Sequence, residues 1–180
     1  LSALWPNKKG MSVVLDLGAN IECSPKNLID FTVMGSSLFK SLYPNDNAKV
    51  ALLNIGSEEL KGNEIIKETY QKLNQRKNHD FVFNGYIEGN QLMNGDVNVI
   101  VADGFTGNVA LKTAEGTANL RKFKARLDPR LYNGAIFIGL DSPVIKSHGG
   151  TDYIGFSNSL SVCNKVVNGN LIKKIRENIK

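Results

Sequence analysis

The chain has 180 residues, of which 42% are hydrophobic and 22% charged, with 17 glycines and a formal net charge of +5. This balance is typical of an ordinary folded α/β chain and excludes a disordered or fibrous one. The apolar runs are far shorter than the roughly 20 residues that a transmembrane helix needs. The positive charge favours an anionic partner but does not separate a nucleic acid from an acidic protein or a lipid headgroup.

The ends and the cysteines give two further expectations. The first residues, LSALWPNKKGMSVV, lack an initiator methionine and the basic and apolar segments of a signal peptide, so we expect the interior of a longer, cytoplasmic chain. Cys23 and Cys163 are far apart and show no metal-ligand spacing. We therefore expect both to be buried free thiols in a reducing compartment.

The first half of the chain predicts alternating strands and helices. The run MSVVLDLGAN indicates a buried strand over Ser12 to Leu17, and Ser24 followed by Pro25 indicates the start of a helix that ends before Pro44. A strand at KVALLNIG and a helix over 63–76 come next. Strands at DFVFNGYI and VNVIVADG follow, with a short turn element at EGNQLM between them.

The second half continues this alternation. After DGFTGN we expect a helix from about Val109, then a strand at GAIFIGL and a last long helix from about Thr151. The positions expected on the inner side of that last helix are Ile154, Leu160, Val167 and Leu171. The whole pattern predicts a single α/β domain over residues 1–180, with a mainly parallel sheet and helices on both faces.

Ligands of such sheets bind outside the carboxyl ends of the strands. The loops predicted there are DLGAN, NIGSEELKGN, NGYIEGN, ADGFTGN and SHGGTD. Most of them combine glycine with Asn, Asp or Glu, which favours an anion-binding cradle, although any one alone is equally a plain turn or helix cap. The sequence contains no G-x-G-x-x-G, no P-loop and no nucleophile elbow, which disfavours nucleotide binding and covalent catalysis by Ser or Cys.

Four segments together resemble one family. LDLGANIECSPKNLIDFTVMGS, VALLNIGSEELKGNEIIKETY, FNGYIEGNQLMNGDVNVIVADGFTGNVALKTAEG and VIKSHGGTD are similar to the C-terminal half of bacterial phosphate acyltransferases. The resemblance implies that inorganic phosphate attacks an acyl-carrier-protein thioester to give an acyl phosphate for phospholipid synthesis, without a metal or other cofactor. It also implies a homodimer with a Rossmann-like three-layer fold, akin to phosphotransacetylases and isocitrate dehydrogenase-like folds, and no nucleic-acid partner.

The resemblance also implies roles for particular residues. Phosphate is itself the nucleophile, so the protein need only hold it beside the carbonyl and stabilise the charge that develops. Lys61 and Asn108 are then the principal catalytic pair, and Glu58 orients Lys61. Gly104 and Gly107 let a loop backbone approach the anion.

Further candidates have open roles. Asn20 borders the phosphate or the dimer contact, whereas Asp16 is expected to accept backbone N–H bonds rather than react. Lys112 is either a second point charge at the site or a solvated helix lysine. His148 either protonates the leaving sulfur or caps the last helix together with Asp152.

The chain also departs from the family. Nothing in it corresponds to the family's preceding half, and TANLRKFKARLDPRLYNG replaces a longer helical hairpin with an apolar tip. We therefore expect residues to be missing near 119–121. A basic cluster in this stretch is expected to face acidic acyl carrier protein or an anionic membrane surface, unless it is only a solvated helix face: Arg121, Lys122, Lys124 and Arg126.

Two other functions stay open at this point. One is a related phosphate acetyl- or butyryltransferase that uses coenzyme A, which tight binding of free coenzyme A would favour. The other is an inactive half-domain that serves as a dimerisation or membrane-docking module, which carrier binding without turnover would favour.

Overall fold

The computed structural model describes residues 1–75, 80–118, 129–137 and 140–178. The chain divides into two compact units, Leu1–Thr117 and Ala118–Lys180. Each unit has a β-sheet of its own. That both belong to one α/β domain stays a prediction.

The first unit contains a five-stranded, mainly parallel sheet. Its strand order is β1-β2-β5-β3-β4, in which β1 runs antiparallel to β2 and the other neighbours are parallel. The prediction of a mainly parallel sheet is therefore confirmed. The strands are β1 (Ser2–Asn7), β2 (Gly10–Leu15), β3 (Ala48–Asn54), β4 (Phe81–Glu88) and β5 (Val99–Val101).

Helices cover both faces of this sheet. They are α1 (Pro25–Leu42), α2 (Glu64–Gln75) and α3 (Gly104–Ala118). Successive residues of a strand point to opposite faces, so Val13 and Val99 face the core under α1 and α2, whereas Val14 and Ile100 face the core under α3. The unit is thus a three-layer α/β/α structure, as the sequence predicts.

The start of α1 follows from its sequence. Ser24 Oγ accepts a hydrogen bond from the Asn27 amide, and Asn27 Oδ1 accepts one from the Ser24 amide, which forms a reciprocal cap. Further along the helix, a Cβ on Gly35 would lie 2.7 Å from Val99 and 2.8 Å from Leu15. Glycine at this position therefore brings α1 close to the sheet.

In the first unit one prediction needs correction and one strand was not predicted. Helix α3 begins at Gly104, five residues before the predicted start near Val109. Asp103 caps this end of the helix, because its carboxylate accepts hydrogen bonds from the amide and the hydroxyl of Thr106. Strand β1 is not indicated by its sequence, because it is an edge strand with one buried side chain, Trp5. The predicted end of α2 at Arg76 lies outside the described residues.

The second unit differs more from the sequence prediction. The run GAIFIGL does not join the parallel sheet: β6 (Ala135–Phe137) pairs antiparallel with β7 (Val144–Lys146). The last helix is two helices, α4 (Tyr153–Asn168) and α5 (Leu171–Asn178), because the chain turns at Asn170, whose φ is 51°.

The inner face of α4 also differs from the prediction. Leu160 and Val167 are more than half exposed, whereas Gly155, Ser159 and Val166 are buried. Small and polar side chains on the inner face carry no hydrophobic signal, so the apolar pattern indicated the wrong side of the helix.

Candidate functional site

Three turns of the first unit follow the carboxyl ends of β2, β3 and β5. Since these strands are parallel and adjacent in the sheet, their turns lie along one edge of it. The turns comprise residues 16–24, 55–63 and 102–103. Six of the predicted site residues lie in or beside them: Asn20, Glu58, Lys61, Gly104, Gly107 and Asn108.

The Asp16 carboxylate organises the turn after β2. It is completely buried and accepts hydrogen bonds from the amides of Gly18, Ala19 and Asn20, at 2.7 to 3.2 Å. It also accepts one from the Asn20 side-chain amide at 2.8 Å. The expectation that Asp16 accepts backbone N–H bonds is confirmed.

These bonds determine the charge state of Asp16. Burial by itself raises the pKa of a carboxyl group, but the Asn20 side chain and the turn amides stabilise the anion. The pKa of Asp16 therefore lies well below its ordinary value. Asp16 is a fixed anion that shapes the turn and has no capacity left for proton transfer.

The first turn of α3 packs directly on the turn after β2. The Gly104 amide donates to the Asn20 carbonyl at 2.8 Å, and a Cβ on Gly104 would lie only 2.6 Å from that oxygen. A Cβ on Gly107 would lie 3.0 Å from the carbonyl carbon of Asp16 and overlap with its oxygen. The two glycines are helical and buried, so the backbone they bring close is that of their own chain rather than a bound anion.

Asn108 lies one residue further along α3. Its side-chain Nδ2 donates to the Leu17 carbonyl at 3.2 Å. A Cβ on Gly18, whose φ is +125°, would lie 3.1 Å from that nitrogen, so a larger residue there would press on the amide. One N–H of Asn108 thus holds the helix against the turn, which leaves its second N–H and its oxygen as the groups that can meet a ligand.

The loop after β3 presents Lys61. The Asn54 side-chain amide donates to the Lys61 carbonyl at 3.1 Å, and the Lys61 amide donates to the Glu58 carbonyl at 2.9 Å. Gly62, whose φ is +95°, lies so close to Asn54 that its Cβ would be 2.5 Å from Asn54 Oδ1. The Asn54 side chain and the Glu58 carbonyl thus hold the backbone of Lys61 on its two sides, and Gly62 leaves room for Asn54.

The Lys61 side chain is exposed at this edge. Lys61 and Glu58 flank Gly56, whose Cβ would lie 3.0 Å from Lys61 Cγ and 2.7 Å from Glu58 Oε2. No ion pair joins Glu58 to Lys61, and within the described part of the chain the Lys61 ammonium has no ion-pair partner. Lys61 is therefore a cation available to a bound anion.

The remaining predicted residues belong to α3, to the second unit or to the part of the chain that the structure does not describe. Lys112 is exposed on α3 and pairs with Glu115 at 2.8 Å, which is the solvated-lysine alternative. His148 belongs to the second unit and is exposed there. Arg121, Lys122, Lys124 and Arg126 lie outside the described residues, as does the expected gap near 119–121.

Asn133 organises the loops of the second unit. Its buried side chain accepts from the His148 amide at 2.9 Å and donates to Ser147 Oγ at 2.8 Å and Thr151 Oγ1 at 3.1 Å. Asp152 caps α4 by accepting from the amide of Gly155 at 3.0 Å. The helix is thus capped by Asp152 as predicted, but His148 takes no part in the cap: its Nδ1 accepts from the Gly150 amide.

A cavity of about 820 Å³ lies beside the polar turns, where the amino ends of α1, α2 and α3 meet. Cys23 lines it as a buried thiol. Burial raises the pKa of Cys23, and the carboxylates of Asp103 and Asp16 raise it further, although the Gly104 amide acts in the opposite sense. Cys23 is therefore a neutral thiol, as the absence of a nucleophile motif suggests. Cys163 is also free but only half-buried.

Sequence reasoning missed Asn54, Asn133 and the cavity. A buried asparagine in a strand end or loop looks like any turn residue, because its hydrogen-bond partners are distant in sequence. The cavity is assembled from three helix starts, which no single window of sequence contains. Among the described residues no cluster of His, Cys, Asp and Glu is suited to a metal ion.

The sheet, its two helical layers and the polar turns at one edge define a Rossmann-like three-layer α/β protein. Within the described part of the chain, no helix is long and apolar enough to cross a membrane. The chain belongs to the fatty acid synthesis protein family, whose model matches residues 1–120.

Several curated relatives carry the name phosphate acyltransferase. The Pelagibacter ubique protein is 77% identical over 99% of this chain and 62% of its own length. The proteins of Rhodospirillum rubrum and Maricaulis maris are 42% and 38% identical, again over 99% of this chain, and each is covered over 58% of its length. This chain thus spans about 60% of the length of the relatives it matches.

Two further comparisons concern length and fold. The match to the Pelagibacter protein extends over 205 positions, against 180 residues here, so that relative carries additional residues within the matched region. Among solved structures, the EutD phosphotransacetylase from Staphylococcus aureus aligns with a TM-score of 0.47 and 18% identity, over 90% of this chain and 51% of its own.

Proposed function

We propose that this chain supplies the phosphate- and thioester-binding loops of an enzyme that transfers a fatty acyl group from acyl carrier protein to inorganic phosphate. The products are the free carrier and an acyl phosphate, which serves phospholipid synthesis. The observation that carries the proposal is Lys61, an exposed lysine without an ion-pair partner in the described residues, on a fixed loop at the ligand-binding edge of a parallel sheet. Relatives named phosphate acyltransferase support the reaction class.

The proposed reaction is an acyl transfer between a thioester and phosphate. A phosphate oxygen attacks the thioester carbonyl carbon, the new C–O bond forms, and the carbonyl oxygen becomes an oxyanion. The C–S bond then breaks, and the carrier leaves as a thiolate that takes up a proton. The thioester is already an activated acyl group and phosphate is the nucleophile, so the proposal requires no cofactor.

The chain's part in this reaction is to position two anions. The Lys61 ammonium would neutralise phosphate and hold it beside the carbonyl, which offsets the repulsion that the developing oxyanion meets. Asn108 would donate its second amide N–H to phosphate or to the carbonyl oxygen. Asn20 would act through the backbone, by fixing the turn against which Asn108 is held. Glu58 would orient Lys61, which it neighbours on the same loop.

The remaining partners belong to the same proposal. Acyl carrier protein is acidic, so a chain of net charge +5 suits it electrostatically. A homodimer, a cytoplasmic location and a peripheral contact with anionic membrane are part of the proposal, and the basic cluster is the segment proposed to make the membrane or carrier contact. His148 and Lys112 stay predictions as substrate contacts.

The test is the phosphate-dependent release of carrier thiol from palmitoyl-acyl carrier protein by the full-length protein. Lys61→Ala is expected to lower kcat/KM by about 100-fold or more, the usual loss when one donor to a developing anion is removed. Lys72→Ala is the matched control, because Lys72 pairs with Glu68 on α2, away from the turns. The control is expected to match the wild type.

Other outcomes separate the alternatives. Release from acetyl- or butyryl-coenzyme A in place of the carrier thioester would favour the coenzyme A-linked enzyme. Binding of the carrier without any release by the full-length protein would favour the docking module. A Lys61→Ala variant with wild-type kcat/KM would remove Lys61 from the mechanism and, with it, the observation on which the proposal rests.

A further inference from the structure

The 820 Å³ cavity beside the polar turns has an apolar wall. Of its twelve lining residues, seven are apolar. These seven come from all three helix starts and from the turn after β2: Ile21, Cys23, Pro25, Leu28, Ile65, Ile66 and Phe105. The volume is within the range of pockets that enclose most of a ligand of drug size.

The polar residues of the cavity are mostly engaged with the helix starts. Ser24 is bonded to Asn27, and Asn63 accepts from the Ile66 amide at 2.9 Å. The Asp103 carboxylate accepts from both the amide and the hydroxyl of Thr106. Hydrogen bonds to the helix caps therefore occupy most of the polar surface that a ligand would meet.

The charged side chains of the cavity disfavour phosphate as its occupant. Its lining includes two acidic residues, Glu22 and Asp103, but no lysine or arginine. An anion placed here would meet two like charges, which the amino ends of α1, α2 and α3 offset only in part. The available cation, Lys61, is instead on the neighbouring loop, two residues before Asn63, which lines the cavity.

The rim of the cavity also exposes apolar side chains. Ile21 is 70% exposed, Phe105 64% and Ile65 38%. Leu60 and Ile55, both more than 80% exposed, lie on the loop that carries Lys61. Apolar side chains that cluster beside polar ligand-binding turns are costly to leave in water. Their exposure indicates that an apolar group of the ligand packs on them.

We propose that this cavity binds the alkyl chain of the acyl group and thereby sets the preference of the enzyme for chain length. This inference rests on the proposed function and adds a division of labour to it: phosphate binds on the Lys61 side and the apolar chain binds between the starts of α1, α2 and α3. Ile65 and Phe105 are the specificity-determining residues, because both line the cavity and are exposed to an incoming chain.

The test measures binding without turnover, using S-hexadecyl- and S-octyl-pantetheine, which are thioethers without a carbonyl group. Burying methylene groups improves affinity by up to about tenfold per two carbons, so the full-length protein should bind the hexadecyl probe at least 100-fold more tightly. Ile65→Trp, which fills the cavity, should reduce this preference by tenfold or more. Phe105→Ala should weaken hexadecyl binding several-fold, and saturating phosphate should displace neither probe.

Met34→Trp is the matched control, since Met34 is an exposed apolar residue of α1 outside the cavity. It should bind both probes as the wild type does. Equal affinity of the wild type for both probes, or an unchanged preference in Ile65→Trp, would overturn the proposed chain site. Competition by phosphate would also overturn it, because phosphate would then bind in the cavity.

The same variants separate this inference from the proposed function. A chain-length preference that depends on Ile65, without phosphate-dependent release of thiol, would support the chain site and contradict the acyltransferase. Phosphate-dependent release with the same chain-length profile in the wild type and Ile65→Trp would support the acyltransferase and contradict the chain site.

Discussion

Replacing Gly107 with alanine should destabilise the protein because the new methyl group has no room. Its Cβ would overlap with the carbonyl oxygen of Asp16, and backbone cannot yield as a flexible side chain does. Helix α3 would have to move away from β2, which loosens the packing of Ala110, Leu111 and Ala114 on the core. Such overpacking costs about 3 kcal/mol. The helix propensity of alanine offsets about 1 kcal/mol of this, so a net loss of about 2 kcal/mol remains.

Gly116 provides the control within the same helix, because its Cβ would meet no atom within 4 Å. Gly116→Ala should therefore stabilise the protein by up to about 1 kcal/mol, and the two variants should differ by about 3 kcal/mol. Urea unfolding at constant slope measures this difference. If Gly107→Ala were as stable as Gly116→Ala but bound phosphate poorly, the close-packing role would be refuted and the role in anion approach restored.

Two further predictions concern buried polar groups. The folded-state pKa of Asp16 is depressed, so the stability that its carboxylate contributes is complete above the unfolded-state pKa of about 4 and is lost as pH falls further. Asp16→Asn should cost about 2 kcal/mol of unfolding free energy at pH 7. This difference from the wild type, measured by thermal or urea unfolding, should shrink between pH 5 and 2. A constant deficit would contradict this. Asn133→Ala should cost about 2 kcal/mol and speed hydrogen exchange at the His148 amide, which loses its acceptor; unchanged exchange would show that Asn133 does not hold that loop.

The sequence was most informative where local patterns and burial agree. The strands β2, β3 and β5 are short apolar runs that the sheet buries on both faces, so their hydrophobicity alone indicated them. The start of α1 was predictable because Ser24 and Pro25 are a local capping signal. Asp16 was also assigned correctly, because an acidic residue at a buried strand end that precedes a glycine turn has backbone amides within reach.

The helix start at Gly104 was not predictable from the same kind of pattern. Two glycines within four residues usually indicate a loop, and here they occur because a neighbouring turn leaves no space for a side chain. That reason lies in tertiary contacts with Asn20 and Asp16, more than 80 residues away in sequence. The resemblance to phosphate acyltransferases identified Gly104 and Gly107 as special without indicating why.

The second unit shows the limit of apolar runs. GAIFIGL is hydrophobic enough for a strand, but neither its partner nor its direction can be inferred from its composition. The structure pairs it with VIK, a segment too short to stand out as a strand. Likewise, Leu160 and Val167 led to the wrong face of α4, because apolar side chains of a surface helix do not all have to be buried.

The bonds of Asn20 have a consequence for motion at the ligand edge. Its side chain and amide are tied to Asp16, and its carbonyl is tied to the Gly104 amide. The turn after β2 and the first turn of α3 therefore cannot separate without breaking bonds to the same residue. They should unfold locally as one cooperative unit, so that a ligand that stabilises either of them slows the local unfolding of both.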